Sequence, residues 1–121
     1  MGARKIKRER ILMYVPKKGD IVWLDFDPSS GSEIMKRRPA FVISKETFNA
    51  VVGMTVVAPI TSKAHNVPLE IILPKSLKTK GSVLVYQLKS LDIFQRKAKF
   101  IEKAPANIID QVIQLSQLIV S

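Results

Sequence analysis

The sequence predicts a mainly β, α+β domain: a small, strongly bent antiparallel barrel followed by one C-terminal α-helix. Three observations carry that expectation. Short apolar or alternating runs bounded by turn residues recur between Asp20 and Ile101, as strands do. The one long stretch with helical spacing comes last. The chain has 121 residues, 46% of them apolar, which suits one compact domain with a real core.

Residues 1–14 read as a basic N-terminal arm and 15–121 as a single domain. Lys17-Lys18-Gly19-Asp20 is turn chemistry. The first strand follows, alternating Ile21, Trp23 and Asp25 against Val22, Leu24 and Phe26. Alternation favours Trp23, Phe26 and also Phe41 as core residues over base-stacking platforms. A long loop, Asp27-Pro28-Ser29-Ser30-Gly31-Ser32 onward, precedes a second strand over Pro39 to Ser44. Ser44 to Ala50 is expected to form a short helical turn capped by Ser44. Met54 to Ile60, Leu69 to Leu73 and Ser82 to Tyr86 are further strands, and another pairing is expected near Lys99-Phe100-Ile101. From Pro105 onward, Ile108, Val112, Leu115 and Ile119 mark the helix, with Ile109, Ile113 and Leu118 widening its stripe.

Composition narrows the chemistry. With no cysteine there are no disulfides, thiolate nucleophiles or cysteine zinc sites. A single histidine, His65, excludes a two-histidine ribonuclease within one chain and multi-histidine metal cages. No apolar run approaches the roughly 20 residues of a membrane span. No secretory signal follows the basic start, so a cytoplasmic protein without a membrane partner is expected. Twenty Lys and Arg against ten Asp and Glu give a net charge of +10. After residue 13, fifteen basic residues still oppose nine acidic ones, so the body itself invites a polyanion.

Chemistry concentrates in Gly31-Ser32-Glu33-Ile34-Met35-Lys36-Arg37-Arg38-Pro39, a loop between two strands. Metal-free RNA cleavage needs a general base for the 2′-hydroxyl, a clamp for the phosphorane and help for the departing 5′-oxygen. Arg38 can clamp two phosphate oxygens with its planar, charged guanidinium, which is a poor general acid. Glu33 can act as a base or orient the arginines. Arg37 is an accessory phosphate contact or a solvated charge paired with Glu33. Thr61 and Ser62 offer hydroxyl donors, or serve ordinary turn chemistry. Asp25 and Asp27 make no metal quartet, and neither a metal nor a cofactor is expected.

The chain resembles the MazF/PemK family of toxin endoribonucleases from type II toxin–antitoxin systems, over essentially residues 15–120. The resemblance rests on Gly19-Asp20-Ile21-Val22-Trp23, Phe26-Asp27-Pro28 with Gly31-Ser32-Glu33, Arg38-Pro39, and Val57-Ala58-Pro59-Ile60-Thr61. Gln87-Leu88-Lys89-Ser90-Leu91-Asp92 with Arg96 completes it. It implies an SH3-like or CcdB-like barrel, a homodimer, and metal-independent cleavage of single-stranded RNA at a short sequence. Such cleavage leaves 2′,3′-cyclic phosphate and 5′-hydroxyl ends. The implied catalytic residues are Arg38, Thr61 and Glu33; Lys36, Arg37, Ser62, Tyr86, Gln87 and Lys89 are the expected RNA contacts. An acidic antitoxin is the implied partner. Ile34 and Lys36 stand where the family commonly has glutamine and glycine, and Tyr86 replaces an aspartate. Tyr86 then stacks on a base or packs in the dimer. Two rivals are a non-catalytic CcdB-like poison with a protein target and a plain RNA-binding barrel.

Overall fold

The computed structural model describes residues 14–26, 37–63 and 68–120. The N-terminal arm through residue 13, the loop positions Glu33, Ile34 and Lys36, and His65 lie outside the described residues. In order come β1 (Asp20–Asp25), β2 (Arg37–Val42), α1 (Glu46–Val52), β3 (Thr55–Thr61), β4 (Glu70–Ile72) and β5 (Ser82–Leu84). A 3-10 turn (Val85–Gln87), β6 (Lys89–Leu91), β7 (Lys99–Lys103) and α2 (Ala106–Val120) complete the chain. The strands form one antiparallel sheet in the order β4-β5-β3-β2-β1-β7, with β6 also on β3. The mainly β, α+β class and the C-terminal helix are therefore as expected. Among the described residues β4 and β7 do not pair, so the sheet is open, not a closed barrel.

It is nevertheless strongly curled. β6 and β1 lie three strands apart along the ladder, about 14 Å in a flat sheet. Yet Lys89 Nζ on β6 sits 5.7 Å from the ring centre of Phe26, just past β1. The curl explains why apolar residues on both faces of the central strands are buried. One core gathers Ile21, Phe41, Ala58, Ile60 and Val83 under Ile108 and Val112 of α2. The other gathers Val22, Leu24, Ala40, Val42 and Val57 with Leu91 and Ile93. Phe41 is core, as expected, but Trp23 is 40% exposed, opposite Pro39 and Lys99. β1 turns its Trp23 face outward beyond the reach of α2.

Local chemistry shifts several boundaries. Ser44 does not cap α1; its hydroxyl donates to Asn49 Oδ1 and accepts from the Val56 amide. Pro105 lies just before α2, its carbonyl accepting from the Ile108 and Ile109 amides. β6, previously read only as a motif, pairs Lys89 with Val57 and Leu91 with Thr55. The chain enters the sheet at Asp20, whose carboxylate accepts from the Tyr14 hydroxyl and the Lys17 amide. Burial, then the bond to Asp20 and its charge, push the Tyr14 phenol far above its ordinary range, so it stays neutral.

Asn49 ties these pieces together. It is fully buried, donates to the carbonyls of Pro16 (2.8 Å) and Ser44 (3.2 Å), and accepts from Ser44. Asn49→Ala strands the Pro16 carbonyl and should cost about 2–3 kcal/mol. In urea unfolding the midpoint is expected to fall with an unchanged slope.

Candidate active site

The site is built by strand register. Arg38 lies opposite Leu24 of β1, a member of the second core, near the start of β2. On its other edge, β2 pairs with β3 as Ala40↔Pro59, Phe41↔Ala58 and Val42↔Val57. Continued two residues, that register puts Arg38 level with Thr61. Opposite residues share a face, and neighbouring strands are about 4.8 Å apart, so a guanidinium and a hydroxyl can meet one phosphate. Pro59 lacks an N–H, and the β2–β3 ladder ends at the Ala40↔Pro59 pair. Pro39 holds Arg38 extended.

Thr61 is secured from its other side. It pairs with Ser82 of β5, a buried residue whose hydroxyl donates to Glu70. Its own hydroxyl accepts from the Lys63 amide at 3.3 Å, leaving Ser62 exposed at the turn. Gly81, at φ +115°, lets β5 begin here: a Cβ there would lie 1.8 Å from the Thr61 carbonyl oxygen. Beside it opens a groove of about 420 Å³ lined by Ser62, Ile72, Leu73, Lys75, Lys80 and Gly81.

The two arginines are distinct. The Arg38 side chain is exposed and makes no hydrogen bond or ion pair with another described residue. Arg37 is occupied: one nitrogen donates to Asp25 at 2.9 Å and another to the Lys97 carbonyl at 2.8 Å. Its partner among the described residues is thus Asp25, two strands' ends being clamped to the turn before β7. Arg96 reinforces this clamp, donating to the carbonyls of Asp25 and Phe26 while its own carbonyl accepts from the Asp25 amide. Both chain segments that flank the 27–36 loop are therefore anchored.

The remaining expected contacts spread along β3's edge. Lys89 lies opposite Val57, four residues along β3 from Thr61, with its ammonium over Phe26. Tyr86 is 43% exposed, and Gln87 donates to its hydroxyl at 3.2 Å. Both are on the 3-10 turn leading from β5 to β6. Among the described residues no group of three or more His, Asp or Glu side chains could hold a metal. No helix of the described residues is long and apolar enough to cross a membrane. Sequence reasoning missed the structural parts of Asp25, Gly81 and Arg96. For Gly81 a signal existed, a glycine immediately before a strand.

These features define a class: a small, basic α+β protein presenting an exposed guanidinium and neighbouring hydroxyls at one end of a curled sheet. The family model described as PemK-like, MazF-like toxin of type II toxin–antitoxin system matches residues 17–119. The endoribonuclease toxin MazF of Escherichia coli K12 is 40% identical over 78 residues, 64% of this chain and 69% of that protein. The endoribonuclease toxin ChpB of the same organism is 37% identical over 112 residues, 86% of this chain and 93% of its own. The crystal structure of MazF from Deinococcus radiodurans superposes with a TM-score of 0.80 at 38% identity, covering 89% of this chain and 98% of that one. A MazE–MazF crystal structure from that organism gives 0.79 at 35% identity, covering 89% and 97%. The chain belongs to the PemK-like, MazF-like toxins of type II toxin–antitoxin systems.

Proposed function

We propose that this toxin is an endoribonuclease that cleaves single-stranded RNA without a metal, with Arg38 and Thr61 gripping the scissile phosphate. The single observation that supports the reading is the β2–β3 register, which, continued two residues beyond Ala40↔Pro59, would set Arg38 level with Thr61. The 2′-oxygen attacks the adjacent phosphorus as its proton passes to a base, for which Glu33 is the candidate. The P–O5′ bond then breaks and the 5′-oxygen takes up a proton. The products are a 2′,3′-cyclic phosphate and a 5′-hydroxyl, with no water consumed. Arg38 neutralises charge on the two non-bridging oxygens of the phosphorane, where bidentate geometry is strongest. Ser62, Lys36, Arg37, Tyr86, Gln87 and Lys89 are assigned to the flanking RNA. For Arg37 that means lending its charge from within the Asp25 clamp.

An acidic antitoxin segment is the proposed inhibitor, laid over the same basic surface. The MazE–MazF crystal structures from Deinococcus radiodurans support such a partner. Homodimerisation is supported by exposed Ile72, Leu118, Ile119 and Val120 on β4 and α2, elements packed against each other.

Purified protein in chelator, given a long mixed RNA, should yield discrete fragments with cyclic phosphate and 5′-hydroxyl ends. Intact RNA in that assay would overturn the nuclease reading. Cellular toxicity that survives Arg38→Ala would favour a poison with a protein target.

A further inference from the structure

The segment between β4 and β5 is pinned by a residue outside the site. Glu102, on β7, accepts from the Lys78 amide (3.0 Å), the Thr79 amide (2.7 Å) and the Thr79 hydroxyl (2.7 Å). Thr79 is itself buried. Lys80 braces the same loop from within, donating to the carbonyls of Lys75 and Leu77 at 2.6 Å each. One residue later comes Gly81, whose carbonyl accepts from the Leu73 amide. Its α-carbon lies so close to the Thr61 carbonyl that no side chain fits between. A carboxylate on the far edge strand is thus connected to Thr61 through three consecutive residues, Thr79, Lys80 and Gly81.

We infer that Glu102 is a positioning residue for RNA cleavage, holding loop 74–81 so that Gly81 and Ser82 fix Thr61 against the scissile phosphate. The inference rests on the nuclease reading for its kinetic part only. The Glu102 carboxylate is taken up by Lys78 and Thr79, so it acts on the site through that loop. It works through two backbone amides and a hydroxyl. Its charge is favoured in this role. Desolvation pushes the Glu102 carboxyl upward, but the Thr79 hydroxyl, the two amides and the charge of Lys78 together outweigh it, leaving the carboxyl below its ordinary value.

The test compares Glu102→Ala, Glu102→Gln and Thr79→Val with the parent protein by amide hydrogen exchange and by RNA cleavage. Glu102→Ala should speed exchange at Thr61 and Ser82 while α1 exchanges as in the parent. It should also lower kcat about tenfold with KM changed less than twofold, because Arg38 and the exposed lysines still bind RNA. Glu102→Gln, which retains one acceptor oxygen, should recover part of kcat, and Thr79→Val should fall between. Unchanged exchange at Thr61 and Ser82 overturns the inference, as does exchange that speeds equally in α1. A KM effect without a kcat effect also overturns it. If the parent protein itself fails to cleave RNA, the nuclease reading falls, and the exchange measurement still decides whether Glu102 holds Thr61.

Discussion

Arg38→Ala should lower single-turnover RNA cleavage by about 10²–10³-fold, the loss seen when one preorganised charge-stabilising donor is removed. Stability should hold within about 0.5 kcal/mol, because the side chain is exposed and holds no other described residue. Arg38→Lys keeps the charge but not the planar fork, so most of the deficit should remain. Arg37→Ala is the internal control. Its guanidinium is committed to Asp25 and the Lys97 carbonyl, so its loss should loosen the loop anchorage and reduce cleavage by less than about tenfold. Circular dichroism melts of the same samples separate catalytic loss from unfolding. Equal losses for the two arginines would contradict the division of labour between them.

Gly81→Ala should have the largest structural effect. The new Cβ meets backbone, the Thr61 carbonyl carbon at 2.7 Å and Ser62 Cα at 2.9 Å, and φ is +115°. Flexible side chains cannot absorb that overlap, so β5 must separate from β3 or Thr61 must move. A cost of about 2–4 kcal/mol is expected from the combined clash and backbone strain. Cleavage should fall even under conditions where most of the protein remains folded. A Gly81→Ala protein with parental melting and parental cleavage would show that the approach of Gly81 to Thr61 is not required.

Acidification provides a milder probe of the same region. Glu102 has a carboxyl held below its ordinary value in the folded protein. The stabilisation it provides is therefore present above the unfolded-state value, and is lost as pH falls through the lower folded-state value. The difference in melting temperature between the parent and Glu102→Gln should accordingly be constant near neutrality and shrink in acid.

Much of this was legible in the sequence because it depends on local pattern. The strand over Ile21 to Asp25, the helical stripe of Ile108 and Val112, and the Arg38-Pro39 step each carry their signal within a few residues. What could not be read depends on contacts between distant parts. Trp23 alternates like a core residue, but burial there depends on whether α2 covers it, and the spacing of β1 does not contain that. The sequence sets Arg38 apart from Arg37 by the proline that follows it, but that Arg37 is held by Asp25 and the Lys97 carbonyl depends on segments far apart in the chain. β6 is three residues long and gains its place by pairing with Thr55, Val56 and Val57, far earlier in the chain. The part of Gly81 likewise exists only once β3 lies against β5.

The central claim is that Arg38 and Thr61 act on one phosphate. A double-mutant cycle of Arg38→Ala and Thr61→Ala, read in single-turnover RNA cleavage in chelator, tests it most directly. Two groups sharing a phosphate should couple, so the double variant should lose little more than Arg38→Ala alone. Losses that multiply independently would contradict the account.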